Sequence, residues 1–246
     1  GNNCTYICGE DAHGTSIMLK AEENRVSPED LIKQVRRDHI DDLKSFNISY
    51  DNYHTTHSEE NRFFSETIFS RLQEEGFIEK KEIEQLFDTE KEMFLSDRFV
   101  KGICPSCKAK DQYGDNCEVC SSAYSASELI DPVSVLTNTT PELKKSEHLF
   151  FKLSYLKEEI KEWLAKSQIQ EQALNKLSEW LDGDIKDWDI SRDEPYFGFK
   201  IPGYSDKYFY VWLDAPIGYL ASHLNYLNKI ERSEDFNIYW GTDSKT

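Results

Sequence analysis

No run of apolar residues in this chain of 246 approaches the roughly 18 needed to cross a bilayer, and no signal-peptide pattern opens it. Both absences argue against a membrane or secreted protein, so the expected location is the cytoplasm, where thiols stay reduced. Positive charge is scarce as well: 29 Lys and Arg stand against 46 Asp and Glu, a net charge of −17. A field of that sign cannot grip a phosphate backbone through bulk charge, so any nucleic-acid contact must rest on a local basic patch or on parts outside these residues. There is no glycine-rich phosphate loop, no internal repeat and no low-complexity run, which sets aside a P-loop enzyme and a solenoid. An initiating Met is missing too. The chain opens Gly1-Asn2-Asn3 and closes on Lys245-Thr246 shortly after Tyr239-Trp240, so both ends read as cuts in a longer protein. What remains is 38% hydrophobic and 13% aromatic, enough for a packed core in one large or two modest domains.

Cysteine is concentrated. Four of the six stand as Cys104-Pro105-Ser106-Cys107 and Cys117-Glu118-Val119-Cys120, two CxxC pairs separated by nine residues. A CxxC turn aims both thiolates at one point, and a second pair one short loop away completes a tetrahedral four-sulfur site for a single zinc ion. Two disulfides or four free thiols are the alternatives. Four thiolates leave no open coordination position, so such a zinc is structural.

The pattern along the chain is mixed α/β. Cys4-Thr5-Tyr6-Ile7-Cys8 reads as a buried strand that delivers Asp11 and His13 into a loop. Ligands bind outside the carboxyl ends of strands in open α/β sheets, which makes Asp11 a site candidate, although it could equally cap the next helix. Ser27-Pro28-Glu29-Asp30 predicts a helix start. Phe46–Tyr50 alternates like a strand and leads to Tyr53, His54 and His57. Ser58 predicts the cap of a second helix, with Phe64, Ile68 and Leu72 on one face and Gly76 at its end. The segment Lys80–Glu84 looks charged and irregular, and Pro132 and Pro141 punctuate a loop. Two amphipathic helices follow, with Trp163 and Trp180 expected on their packed stripes. Tyr208–Leu213 predicts a strong strand, after which Asp214 would cap a helix with Pro216 in its first turn.

Five phrases then occur together: Ile7–Gly14 (ICGEDAHG), Asn47–His54 (NISYDNYH), the two CxxC pairs, Trp188–Arg192 (WDISR), and Tyr210–Tyr219 (YVWLDAPIGY). In that order they resemble the bacterial methionyl-tRNA synthetases, a family of class I aminoacyl-tRNA synthetases, and the resemblance spans essentially the whole chain. It implies an α/β fold: an incomplete Rossmann-like class I catalytic domain with an inserted zinc-knuckle connective domain. The implied boundaries are 1–76 for the first catalytic part, 77–193 for the insert and 194–246 for the second catalytic part. It also implies a two-step reaction. The methionine carboxylate attacks the α-phosphorus of ATP, supplied with Mg, to give methionyl-adenylate and pyrophosphate, and the methionyl group passes to the 3′ end of tRNA(Met).

On that resemblance Asp11 accepts from the methionine ammonium, and Arg192 pairs with Asp11 and holds it charged. Trp212, Ala215, Pro216 and Tyr219 line the thioether pocket, and Tyr53 and His54 neighbour the adenylate. The departures are the HIGH-type and KMSKS-type motifs, which hold ATP phosphates in class I enzymes. Neither occurs here, so the piece is expected to be inactive by itself. A reading from another class, a non-catalytic zinc knuckle binding RNA or protein through Lys101, Lys108 and Lys110, lacks any need for the flanking pocket residues.

Overall fold

In this computed structural model residues 4–167, 169–183 and 185–241 are described. The residues at either end on which the expectation of a cut chain rests lie mostly outside them. The chain begins with β1 (Ile7–Glu10), α1 (Thr15–Asn24), α2 (Pro28–Ser45), β2 (Asn52–Thr55) and α3 (Glu59–Glu74). β1 and β2 pair in parallel, Ile7 opposite Asn52 and Glu10 opposite Thr55. β1 is half-buried, against the expectation of a buried strand.

Helix ends follow local chemistry closely. Ser27 Oγ accepts from the Asp30 N–H at 3.1 Å, with Pro28 and two acids in the first turn of α2. α2 runs on to Ser45, which overturns the strand expected over Phe46–Tyr50. Asn47 adopts φ 55, and the Ile48 N–H reaches back to Leu43 O at 2.9 Å. Residues 46–48 are therefore spent on a left-handed helix termination, and pairing starts only at Asn52. α3 is capped by Ser58 as expected, and Gly76 (φ 77) closes it by the same device.

The middle of the chain forms two small sheets. β3 (Ile78–Asp88) pairs with β4 (Met93–Phe94) and along ten residues with β8 (Glu142–Phe151), and β8 pairs with β9 (Trp188–Asp189), giving the order β4-β3-β8-β9. Before β8 come β5 (Val100–Ile103), β6 (Gln112–Tyr113) and β7 (Ile130–Ser134), a second sheet in the order β6-β5-β7. The charged stretch 80–84 is thus regular strand. Its charges project to water and pair across the ladder, Lys80 with Glu147 at 2.8 Å and Lys145 with Glu82 at 2.6 Å.

α4 (Lys157–Lys166) and α5 (Glu171–Asp182) bury Leu164 and Leu181 against Ile185. Trp163 and Trp180 each precede a buried Leu by one residue, which is about 100° around the helix. They are therefore 61% and 50% exposed, contrary to expectation.

The chain ends with β10 (Ser191–Asp193) antiparallel to β11 (Lys207–Phe209), α6 (Val211–Lys229) and α7 (Phe236–Trp240). The strand expected to reach Leu213 stops at Phe209. The Val211 N–H is taken by the Tyr196 hydroxyl at 3.1 Å, which starts α6 three residues before Asp214, so Asp214 is no cap and Pro216 lies inside the helix. The main core joins Phe69 of α3, Leu149 of β8, Ile190, Ile201, Phe209, and Leu213 and Ile217 of α6.

Candidate functional site

The parallel pairing of β1 and β2 opens their carboxyl ends on one side, and α6 packs across both strands. Gly218 permits this close approach: a Cβ there would lie 2.9 Å from Thr56 Cγ2. Gly14 turns the chain after β1 at φ 118, a value that glycine adopts without strain. At this junction lies a cavity of about 350 Å³.

Six of the sequence-predicted residues line it: Asp11, His54, Trp212, Ala215, Pro216 and Tyr219. The last four follow the spacing i, i+3, i+4, i+7 and form a single stripe of α6. Trp212 and Tyr219 are 61% and 63% exposed and stand at the rim. The chamber therefore has an apolar helical wall and a carboxylate at the strand end, suited to a small molecule with an apolar chain and a cationic head. Partial burial raises the Asp11 carboxyl, the negative charge of Asp214 raises it further, and His13 opposes both, leaving it at about 6.

A buried relay sits behind that carboxylate. His13 Nδ1 donates to Asp214 Oδ2, both side chains being wholly buried. His13 Nε2 meets His57 Nδ1 at 2.9 Å, and the His57 ring lies between 5 and 6 Å from the rings of Phe197 and Phe199. Burial, and then the neighbouring His13, lower His57 from its ordinary value. Asn61 completes the group by donating to Thr56 O at 2.9 Å and Asp214 O at 3.1 Å. Sequence reasoning places His13 in a loop and Asp214 at a cap, and misses their union. The available signal is the strand register, since Glu10 opposite Thr55 puts His13 and His57 side by side just past their strands.

Two predicted residues are elsewhere. Tyr53 neighbours His54 on a strand, so it faces the other way. Its hydroxyl is 3.3 Å from His39 Nδ1 and its ring packs on Tyr50, and it does not line the cavity. Arg192 makes no ion pair with Asp11. Its Nη1 donates to Asp189 Oδ2 at 3.1 Å and Ser191 O at 2.6 Å, and its guanidinium lies 3.6 Å from the Tyr210 ring centre. A carboxylate three residues away and an aromatic face next to it hold the guanidinium locally. There it lines a separate cavity of about 260 Å³ with Asp97, Asp193 and Tyr196.

The four cysteines of the CxxC pairs converge, with all Sγ atoms within 4.8 Å of one another. Cys104 and Cys120 are 3.9 Å apart and Cys107 and Cys117 3.6 Å. No disulfide links them. A tetrahedral zinc with metal–sulfur bonds of about 2.3 Å has sulfur–sulfur edges of about 3.8 Å, so this donor set fits the ion.

The two turns are built alike. Cys107 N–H faces Cys104 Sγ at 3.5 Å and Cys120 N–H faces Cys117 Sγ at 3.4 Å. Each turn leaves through a left-handed residue, Lys108 (φ 65) or Ser121 (φ 60). Burial raises Cys104, but backbone N–H groups of Cys107 and Ser106 and the adjacent thiols outweigh it and bring it down to about 6. The Ala109 N–H lowers Cys107, yet the thiols around it push it up to about 12. Cys120 is lowered as well, by hydrogen bonds from the Ser122 hydroxyl and backbone N–H.

Comparison with known proteins agrees with this architecture. A family model described as tRNA synthetases class I (M) matches residues 1–246. Among solved structures, Mycobacterium tuberculosis methionyl-tRNA synthetase bound by methionyl-adenylate is similar, at 19% identity and TM-score 0.62 over 89% of this chain and 39% of that one. A second complex of that enzyme with methionyl-adenylate gives 20% and 0.64 over 97% and 42%. Its apo form gives 18% and 0.55 over 97% and 48%. The chain thus spans less than half the length of these proteins, and identities this low establish the shared fold.

Proposed function

Because the chain belongs to the class I (M) tRNA synthetases, we propose that it supplies the amino-acid pocket and the connective insert of a methionine–tRNA ligase. In that reading the methionine carboxylate displaces pyrophosphate from ATP, brought with Mg, to give methionyl-adenylate, and the complete enzyme then passes the methionyl group to tRNA(Met) with release of AMP. The observation that carries the reading is the cavity beyond β1 and β2. Asp11 is the acceptor for an ammonium, and the α6 stripe of Trp212, Ala215, Pro216 and Tyr219 receives an unbranched thioether chain. Sulfur against aromatic rings contributes about 0.3–1.5 kcal/mol. His54 is the cavity residue placed for the adenylate. Arg192 serves amino-acid recognition from its seat on Asp189 and Tyr210, and Tyr53 acts from behind the strand.

The division proposed is catalytic over 1–76 and 194–246, with the insert over 77–193. One zinc held by Cys104, Cys107, Cys117 and Cys120 braces the insert and takes no part in the chemistry. Neither of the class I motifs for ATP phosphates occurs in these 246 residues, so by themselves they do not form the adenylate.

The test is methionine binding by the full-length protein that contains these residues. Asp11→Asn removes a charge-assisted contact and weakens binding about ten- to hundredfold. In the unsubstituted protein affinity falls as pH drops through about 6, where Asp11 takes up a proton. Unchanged affinity in Asp11→Asn would remove the carboxylate from the site.

A further inference from the structure

The segment carrying Arg192 is joined to β8 by the β8–β9 ladder and the Ile190 N–H to Leu149 O bond at 2.9 Å, by Ser191 Oγ accepting from the Leu149 N–H and Ser146 Oγ donating to Asp193, both at 2.9 Å, and by one buried histidine. His148 of β8 has no exposed surface. Its Nδ1 lies 2.7 Å from Asp189 Oδ2 and its Nε2 2.9 Å from Asp193 Oδ2. An ionised carboxylate only accepts, so both ring nitrogens must donate, and the ring is an imidazolium.

Cations complete the arrangement on either side. Arg192 donates to Asp189. Lys207 of β11 pairs with Asp193 and donates to Ser146 Oγ at 2.9 Å. From β3, the neutral amide of Gln85 approaches Nε2 at 3.3 Å, while Lys81, opposite His148 in register, turns to Asp187 and Glu79. Three cations thus enclose two carboxylates around the buried His148, with Arg192 and Asp189 at the partly exposed edge, and removal of a buried member leaves an uncompensated charge.

We propose that His148 is a positioning residue for Arg192: as an imidazolium it fixes the two carboxylates that bracket Arg192 in the chain, and so sets where the guanidinium is held. The proposal rests on the reading that Arg192 serves amino-acid recognition. Burial lowers the proton affinity of His148, but the two aspartate hydrogen bonds outweigh it, and the ring is raised above its ordinary value. The folded state therefore holds this proton more tightly than the unfolded one. Its stabilisation is complete below the ordinary imidazole range and is lost as pH rises through the raised value. Above that value one nitrogen turns a lone pair on a carboxylate, and the anchor of Arg192 loosens.

The experiment measures KM and kcat for methionine in methionine-dependent ATP–pyrophosphate exchange against pH, in the full-length protein, together with the 15N spectrum of the His148 ring. The spectrum shows two protonated nitrogens at pH 7. KM rises on the alkaline side while kcat changes less than about twofold. His148→Gln keeps one hydrogen bond without the charge, raises KM roughly tenfold and abolishes the alkaline rise. His148→Lys restores a cation and recovers most of the loss. A singly protonated ring at pH 7 overturns the proposal, as does an unchanged KM in His148→Gln when Arg192→Ala raises it. An unchanged KM in Arg192→Ala refutes the role given to Arg192 instead, and the ring spectrum tells the two failures apart. Should His148→Gln not fold, the ring spectrum and the pH profile of the unsubstituted protein decide.

Discussion

The cysteine cluster and the cavity beyond β1 and β2 are built on opposite plans. The cluster closes on itself: four sulfurs from residues 104–120, two similar turns, and every sulfur turned toward the other three. The cavity gathers residues from 7 to 222, leaves two aromatic rings in water at its rim, and has the Asp11 carboxylate on its wall. A structural metal site is complete when its own donors meet, so neighbouring residues suffice. A substrate site must remain unfinished, and only tertiary folding can assemble its incomplete half.

The strongest way to break that contrast is Cys117→Ser. A structural zinc site of this kind contributes about 10 kcal/mol or more, so metal content drops from one per chain to near zero, and amide protection is lost over residues 100–134. Protection in β1, β2 and α6 persists if the two regions are independent. Its loss there would show that the cavity depends on the knuckle.

Gly218→Ala probes the other side. The new Cβ meets Thr56 Cγ2 at 2.9 Å, and overpacking of this sort costs about 1–3 kcal/mol. The urea midpoint falls and methionine affinity falls with it, while metal content is unchanged. A variant as stable as the parent would mean that α6 is not held against β2. The smallest effect belongs to Trp180→Gln on the half-exposed face of α5, expected to change stability by less than about 0.5 kcal/mol. A loss of several kcal/mol would show that this face is covered.

Local chemistry is legible in the amino-acid sequence. The Ser27 and Ser58 caps, the Gly76 stop and the CxxC turns each depend on residues a few positions apart. The features that sequence reasoning misses depend on partners far along the chain. Residues 80–84 look irregular until β8 offers Glu147 and Lys145 as counter-charges. Tyr208–Leu213 looks like a strand until Tyr196, fifteen residues before Val211, supplies the hydroxyl that starts a helix. The α6 stripe and Asp11 are identifiable through family phrases, and the fold brings them together. The same phrases cannot foresee that Arg192 rests on Asp189 and Tyr210, because a nearby acid and ring compete for it. His13 and His57 need the strand register, which no spacing within either segment encodes.

The hydrogen bond from Val211 to Tyr196 has a mechanical meaning. It pins α6 at its first residue, and the cavity stripe from Trp212 to Tyr219 occupies only the nearest part of a helix of 19 residues. At about 1.5 Å per residue the stripe ends within roughly 13 Å of the pin, and the helix extends to roughly 28 Å. A tilt about that pivot displaces the far end at least twice as much as the wall. The far half is bolted down against that leverage: Asn52 donates to Ser222 O at 2.9 Å, Asn225 to Glu60 at 2.9 Å and Lys229 to Asn52 at 2.7 Å, so the cavity wall keeps its place beside Asp11.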